Sequence, residues 1–247
     1  MPKVHFAPLS SIAAGLLGLW ATDRFSPLSA VGWTAGLLYL VVSNGLLARG
    51  LHRSGLTVFG WANAATATRS TLVGLVTALV ATSFDSSVSV PLLVVLASIA
   101  LVLDGVDGWL ARRTHSESEL GAQFDMEVDA FLLLVLGVFV APALGWWVLT
   151  IGLLRYAFVV AGWFLPWMRE TLPPRYWRKV TTAVAGIALT AAASGLLPTW
   201  ASLAVVLIAL ALLLESFGRD VLWLVSHRPR TTARVAAGHR TRNGVVR

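Results

Sequence analysis

The chain of 247 residues has no cysteine, which excludes disulfides, thiolate metal sites and cysteine nucleophiles. Charge is scarce: 13% of residues are Asp, Glu, Lys or Arg, and 12 acids stand against 19 bases. No Walker loop, dinucleotide fingerprint or zinc-protease motif occurs. What fills the chain is apolar, with 57% hydrophobic residues and a mean hydropathy of +0.76. A soluble core cannot account for that balance, which belongs to polytopic membrane proteins.

Crossing a hydrocarbon core takes about 20 apolar residues, fewer where ends snorkel or the bilayer thins. Eight segments qualify, near 6–21, 27–48, 64–84, 88–110, 121–143, 145–165, 179–197 and 199–225. Turn signals such as Asp85-Ser86-Ser87 and Leu197-Pro198 separate them. The first segment follows Lys3 like a signal peptide, but Trp20-Ala21-Thr22-Asp23-Arg24 lacks a small-x-small cleavage site, so it reads as a retained span. The fold class is all-α, a polytopic membrane helix bundle.

Cytoplasmic loops carry the excess of Lys and Arg. With the N-terminus inside, the inner segments hold Lys3, Arg49, Arg53, Arg112, Arg113, Arg169, Arg175, Arg178 and Lys179, and the outer ones only Arg24. Both termini are therefore expected in the cytoplasm, with the protein in the cell membrane. Residues 49–63 mix cations with apolar and aromatic groups and are expected to form an interfacial segment. The tail, 226–247, carries six arginines and no acid, and reads as a disordered basic segment drawn to anionic lipid. The positive-inside pattern accounts for the net charge of +7 without a nucleic-acid partner.

Against this background four carboxylates stand out: Asp104, Asp107, Asp125 and Asp129, within or beside apolar segments. Ionisable groups at membrane depth usually face a bundle interior or a watery cavity and serve function. On a helix Asp104, Asp107, Gly108, Ala111 and Arg112 share one stripe, and Gly121, Asp125 and Asp129 share another, with Glu127 turned away. All-oxygen donor sets suit hard divalent cations, Mg²⁺ or Mn²⁺ before Zn²⁺, and four aspartates can hold two ions. Such a site can bind a diphosphate, neutralise charge on a leaving group and orient an attacking hydroxyl. Arg112 can add a bidentate phosphate contact.

The spacing D-x-x-D-G-x-x-A-R, eight residues, then G, three residues, D, three residues, D resembles the signature of the CDP-alcohol phosphotransferase family at every defined position. Asn63, Thr66 and Arg69 resemble that family's N-x-x-T-x-x-R segment, and Lys179 with Thr182 its later Lys/Thr segment, although Arg178 stands where a glycine is usual. The resemblance implies a six-helix core over 64–225, preceded by a two-span extension (1–48), and a cytoplasm-facing cavity. It implies Asp104, Asp107 and Asp125 on divalent metal and the CDP diphosphate, Asp129 as general base also touching metal, and Gly108, Ala111, Arg112 and Gly121 lining the nucleotide. It further implies attack by an alcohol on a CDP-linked phosphorus with release of CMP, and a homodimer. CDP-diacylglycerol fits best as donor, with an alcohol or phospho-alcohol acceptor; the motif leaves open the reverse case, a CDP-linked small alcohol and a lipid hydroxyl.

Asn63, Thr66, Arg69, Arg155 and Lys179 are candidates for donor or acceptor phosphate binding. Arg155, near the middle of a span, needs a partner, for which Glu215 or one of the aspartates is the expectation. Glu127 is expected to contact a neighbouring helix. Tryptophans near span ends, among them Trp146, Trp163, Trp177 and Trp200, read as interface belts. A divalent-cation or proton-coupled transporter is the rival reading, but it predicts acids spread through the bilayer depth, whereas these cluster at one edge beside an arginine.

Overall fold

In lipid, apolar runs of this length satisfy their backbone groups by coiling into helices. A computed structural model shows that they do. It describes residues 7–54, 61–114, 119–169 and 176–226. Among these are eight α-helices and no strand: α1 (Ala7–Phe25), α2 (Ala30–Ser54), α3 (Trp61–Thr82), α4 (Val90–Thr114), α5 (Glu119–Leu144), α6 (Thr150–Phe164), α7 (Tyr176–Ala193) and α8 (Thr199–Ser226). They follow the eight apolar segments to within a few residues, with one change of detail. The sixth segment opens as a short 3₁₀ turn, Trp146–Leu149, before α6 begins.

Four helical segments among the described residues are long and apolar enough to cross a membrane unaided: Ala30–Arg49, Phe124–Leu144, Trp146–Phe164 and Thr199–Ser226. In α3 and α4 the apolar stretches are shorter, Ala67–Thr82 and Val90–Val106. The molecule is an all-α polytopic membrane bundle. Residues 49–54 of the expected interfacial segment continue α2, residues 61–63 open α3, and 55–60 lie outside the described residues, as does the basic tail from 227 onward.

Local signals fix the helix ends. Ser29 and Ser89 cap α2 and α4, their hydroxyls accepting the N–H of Gly32 (3.1 Å) and Leu92 (3.4 Å). Pro91, in the first turn of α4, lacks only a donor that would have no intrahelical partner. The same serines bind the two turns together: Ser89 N donates to Ser26 Oγ at 3.1 Å, Ser29 N to Thr82 Oγ1 at 3.2 Å, and Ser29 Oγ to Asp85 at 3.1 Å. The α1–α2 and α3–α4 turns therefore share one end of the bundle. Just past the end of α7, Gly195 adopts φ +68°, a left-handed conformation that glycine takes without a Cβ penalty.

Helix α3 is the hub, packed against α1, α2, α4 and α5, while α5 also packs on α6 and α7, and α7 on α8. The main core joins Val73, Val76 and Leu79 of α3 to Leu93 and Ala97 of α4, Leu132 and Leu136 of α5, Leu189 of α7 and Val206 of α8. A smaller cluster, Leu19, Leu40, Leu75 and Ala78, seats α1 and α2 on α3. Two crossings are too close for side chains: a Cβ on Gly32 would lie 2.7 Å from the Ala78 carbonyl, and one on Gly152 2.6 Å from the Leu134 backbone. Large apolar side chains such as Leu17, Leu38, Val102 and Leu222 point outward, a surface suited to lipid rather than water.

Candidate active site

The first half of α3, the last part of α4 and the start of α5 meet around one side chain. Arg69, 1% exposed, extends its guanidinium from α3 onto Asp104 of α4 and onto Asp125 and Asp129 of α5. One terminal nitrogen pairs with Asp104; the other pairs with the Asp125 carboxylate, donates to the Asp125 backbone carbonyl at 3.2 Å and lies 3.2 Å from Asp129. Its Nε is buried without a hydrogen-bond partner.

The two aspartate-bearing helices thus meet through α3. Sequence phasing places their stripes face to face; among the described residues α4 and α5 both pack on α3, and Asp104 comes together with Asp125 and Asp129. The three aspartate side chains are 32%, 25% and 22% exposed, against 1% for the arginine. A ligand can reach the carboxylates and cannot reach Arg69. The placement of Arg69 differs from a residue free to bind phosphate: its charge is spent on the aspartates.

Ligand oxygens of Asp104, Asp125 and Asp129 lie within 4.8 Å of one another. That spacing and the absence of nitrogen or sulfur donors fit a hard divalent cation. Asp107, Gly108, Ala111 and Arg112 fall in the last turns of α4, Gly121 in the first turn of α5, and Asn63 and Thr66 in the first turns of α3; their side chains lie outside the described residues.

Arg155 of α6 pairs with Glu127 of α5 at 2.9 Å. This corrects the expected partner: Glu215 instead accepts the indole N–H of Trp177 at 2.9 Å and pairs with Arg219. The physical reason is adjacency, since α6 packs against α5 along its length and meets α8 only slightly. Glu127, turned away from the aspartate stripe, makes the contact with a neighbouring helix that its phase implies. Arg155 also lines a cleft of about 520 Å³ with Phe158, Val159, Gly162, Trp163 and Met168. The aspartates do not line this cleft. Lys179 of α7 is exposed.

Sequence reasoning missed Asp220. It is 3% exposed on α8 and lies 3.6 Å from Arg178 of α7. A carboxylate in a helix as apolar as α8 was the available signal, because such a group requires a partner.

A comparison with protein families matches residues 59–216 to the model described as CDP-alcohol phosphatidyltransferase. Neither the comparison with curated proteins nor that with solved structures finds a match. The matched segment takes in α3 to α7 and most of α8, and with them every residue of the carboxylate cluster, so the chain belongs to the CDP-alcohol phosphatidyltransferase family.

Proposed function

We propose that the protein transfers a phosphatidyl or similar phospho-alcohol group from a CDP-activated donor, CDP-diacylglycerol in the first instance, to an alcohol acceptor, releasing CMP. The observation that carries the reading is the convergence of Asp104, Asp125 and Asp129 in reachable positions at one end of an apolar bundle, within a segment of this family.

In this reading Asp104, Asp107 and Asp125 hold the divalent cation, Mg²⁺ or Mn²⁺, through which the donor diphosphate is bound. The ion supplies electrostatic stabilisation of charge on the phosphoryl oxygens and the leaving group. Gly108, Ala111 and Gly121 leave room for the nucleotide, and Arg112 contacts a phosphate. The acceptor oxygen forms a bond to the phosphorus that carries the diacylglycerol. The bond from that phosphorus to the bridging oxygen breaks, CMP departs with the electron pair, and Asp129 takes the hydroxyl proton. Arg69 orients the three carboxylates from beneath. Asn63, Thr66, Arg155 and Lys179 remain proposed phosphate contacts; the exposure of Lys179 and the cleft at Arg155 support the last two.

The distribution of Lys and Arg supports an active site and both termini on the cytoplasmic side. The test is CMP release by purified protein from CDP-diacylglycerol with Mg²⁺ or Mn²⁺ across a panel of alcohols and phospho-alcohols. Acceptor-dependent CMP that falls by about 10²-fold or more in Asp129→Asn supports the reading. Release only from CDP-linked small alcohols with diacylglycerol reverses donor and acceptor, and silence with every pair overturns it.

A further inference from the structure

Helices α1 and α2 precede the family-matched segment, yet one of their side chains reaches the back of the carboxylate site. Tyr39 of α2 shares a hydrogen bond with Ser70 at 3.3 Å, and Ser70 directly follows Arg69 on α3. The Tyr39 ring stacks on Phe131 of α5, centroids 4.8 Å apart and planes 27° from parallel; Phe131 is two residues beyond Asp129. One aromatic side chain therefore holds both helices whose relative position decides whether Arg69 reaches Asp125 and Asp129.

The seat for this ring is built into α3. Gly74 lies one helical turn beyond Ser70, and a Cβ there would meet the Tyr39 ring at 3.1 Å and Leu40 at 3.2 Å. The next residue along α2, Leu40, is 2% exposed within the small cluster with Leu19, Leu75 and Ala78. Below it, Gly32 and Gly36 bring α2 close against Ala78 and Thr82 of α3. The hairpin is thus clamped along α3, and its polar contact with α3 at this level falls beside the arginine.

We propose that Tyr39 is a positioning residue for the transfer site, acting through Ser70 and Phe131 to set α3 against α5 and so hold Arg69 on the aspartates. The proposal rests on the transferase reading for its kinetic consequence, but its geometric content stands apart from it. Tyr39→Phe keeps the ring and removes the hydroxyl; Tyr39→Ala removes both contacts; Ser70→Ala removes the partner of the hydroxyl alone.

The experiment pairs kinetics with a distance. For Tyr39→Phe, kcat for CMP release falls by about 3- to 10-fold, the size of one hydrogen bond, with KM for the CDP donor unchanged. Ser70→Ala matches it, and the double variant is no worse than either single one. Because the chain has no cysteine, spin labels on Thr68→Cys and Met126→Cys, both at exposed positions on α3 and α5, report the separation of the two helices by pulsed electron resonance. Tyr39→Ala shifts or broadens that distribution.

A Tyr39→Phe protein with kcat within twofold of the parent, a loss carried by KM instead, or a Tyr39→Ala distribution identical to the parent would each overturn the proposal. If the parent releases no CMP from any donor, the transferase reading fails while the distance measurement still decides whether Tyr39 sets the helices.

Discussion

The Arg69 guanidinium is nearly sealed from solvent beneath three partly exposed carboxylates. Removing it leaves like charges facing one another, and breaking a buried pair of this kind costs about 3–5 kcal/mol. Arg69→Met should lower the apparent melting temperature in EDTA by about 6–20 °C, and millimolar Mn²⁺ should recover part of the loss by binding the freed carboxylates. A thermal-shift titration in detergent checks both; a variant as stable as the parent in EDTA would show that the aspartates need no internal cation. The aspartates themselves are legible in the sequence, because their spacing of three and four residues is a helical phase. Their meeting with Arg69 is not, since Asp104 and Asp125 lie 35 and 56 residues away along the chain, Asp129 farther still, and no local pattern encodes it.

Helices meet here through backbone as much as through side chains. At Gly152 the α6 crossing leaves no room before the Leu134 backbone, whereas nothing lies within 4 Å of a Cβ on Gly45. Gly152→Ala should therefore destabilise by about 1–3 kcal/mol, and Gly45→Ala should be neutral or gain up to about 1 kcal/mol from helix propensity. Thermal unfolding of the two variants side by side measures the contrast, and equal behaviour would contradict the close crossing. The same pair of helices carries Glu127 and Arg155. Reversing one charge, Glu127→Arg, should lower folded yield in membranes, and adding Arg155→Glu should recover more than half of it, whereas Glu215→Arg with Arg155→Glu should not. The assignment of Arg155 to Glu215 failed because apolar periodicity locates helices without saying which of them are neighbours.

For the molecule as a whole, hydropathy discloses the eight helices of the described residues, because the bilayer makes length into a direct constraint, and Lys/Arg placement supplies an expected orientation. They do not disclose that α3 is the hub, or that α1 and α2 reach the site through Tyr39. Orientation is open to a direct check in a chain without cysteine. Ser87→Cys, exposed in the α3–α4 turn, should react with a membrane-impermeant maleimide in intact cells, and Ser116→Cys only after permeabilisation. The opposite pattern would invert the topology and place the site outside. The arginine beneath the aspartates also bears on how such a chain is made. During synthesis α3 emerges before α4 and α5, so the cation reaches the bilayer ahead of the acids it will neutralise. A nascent chain of this kind carries the counter-charge for those acids within its own sequence, whatever ions the surrounding solution holds.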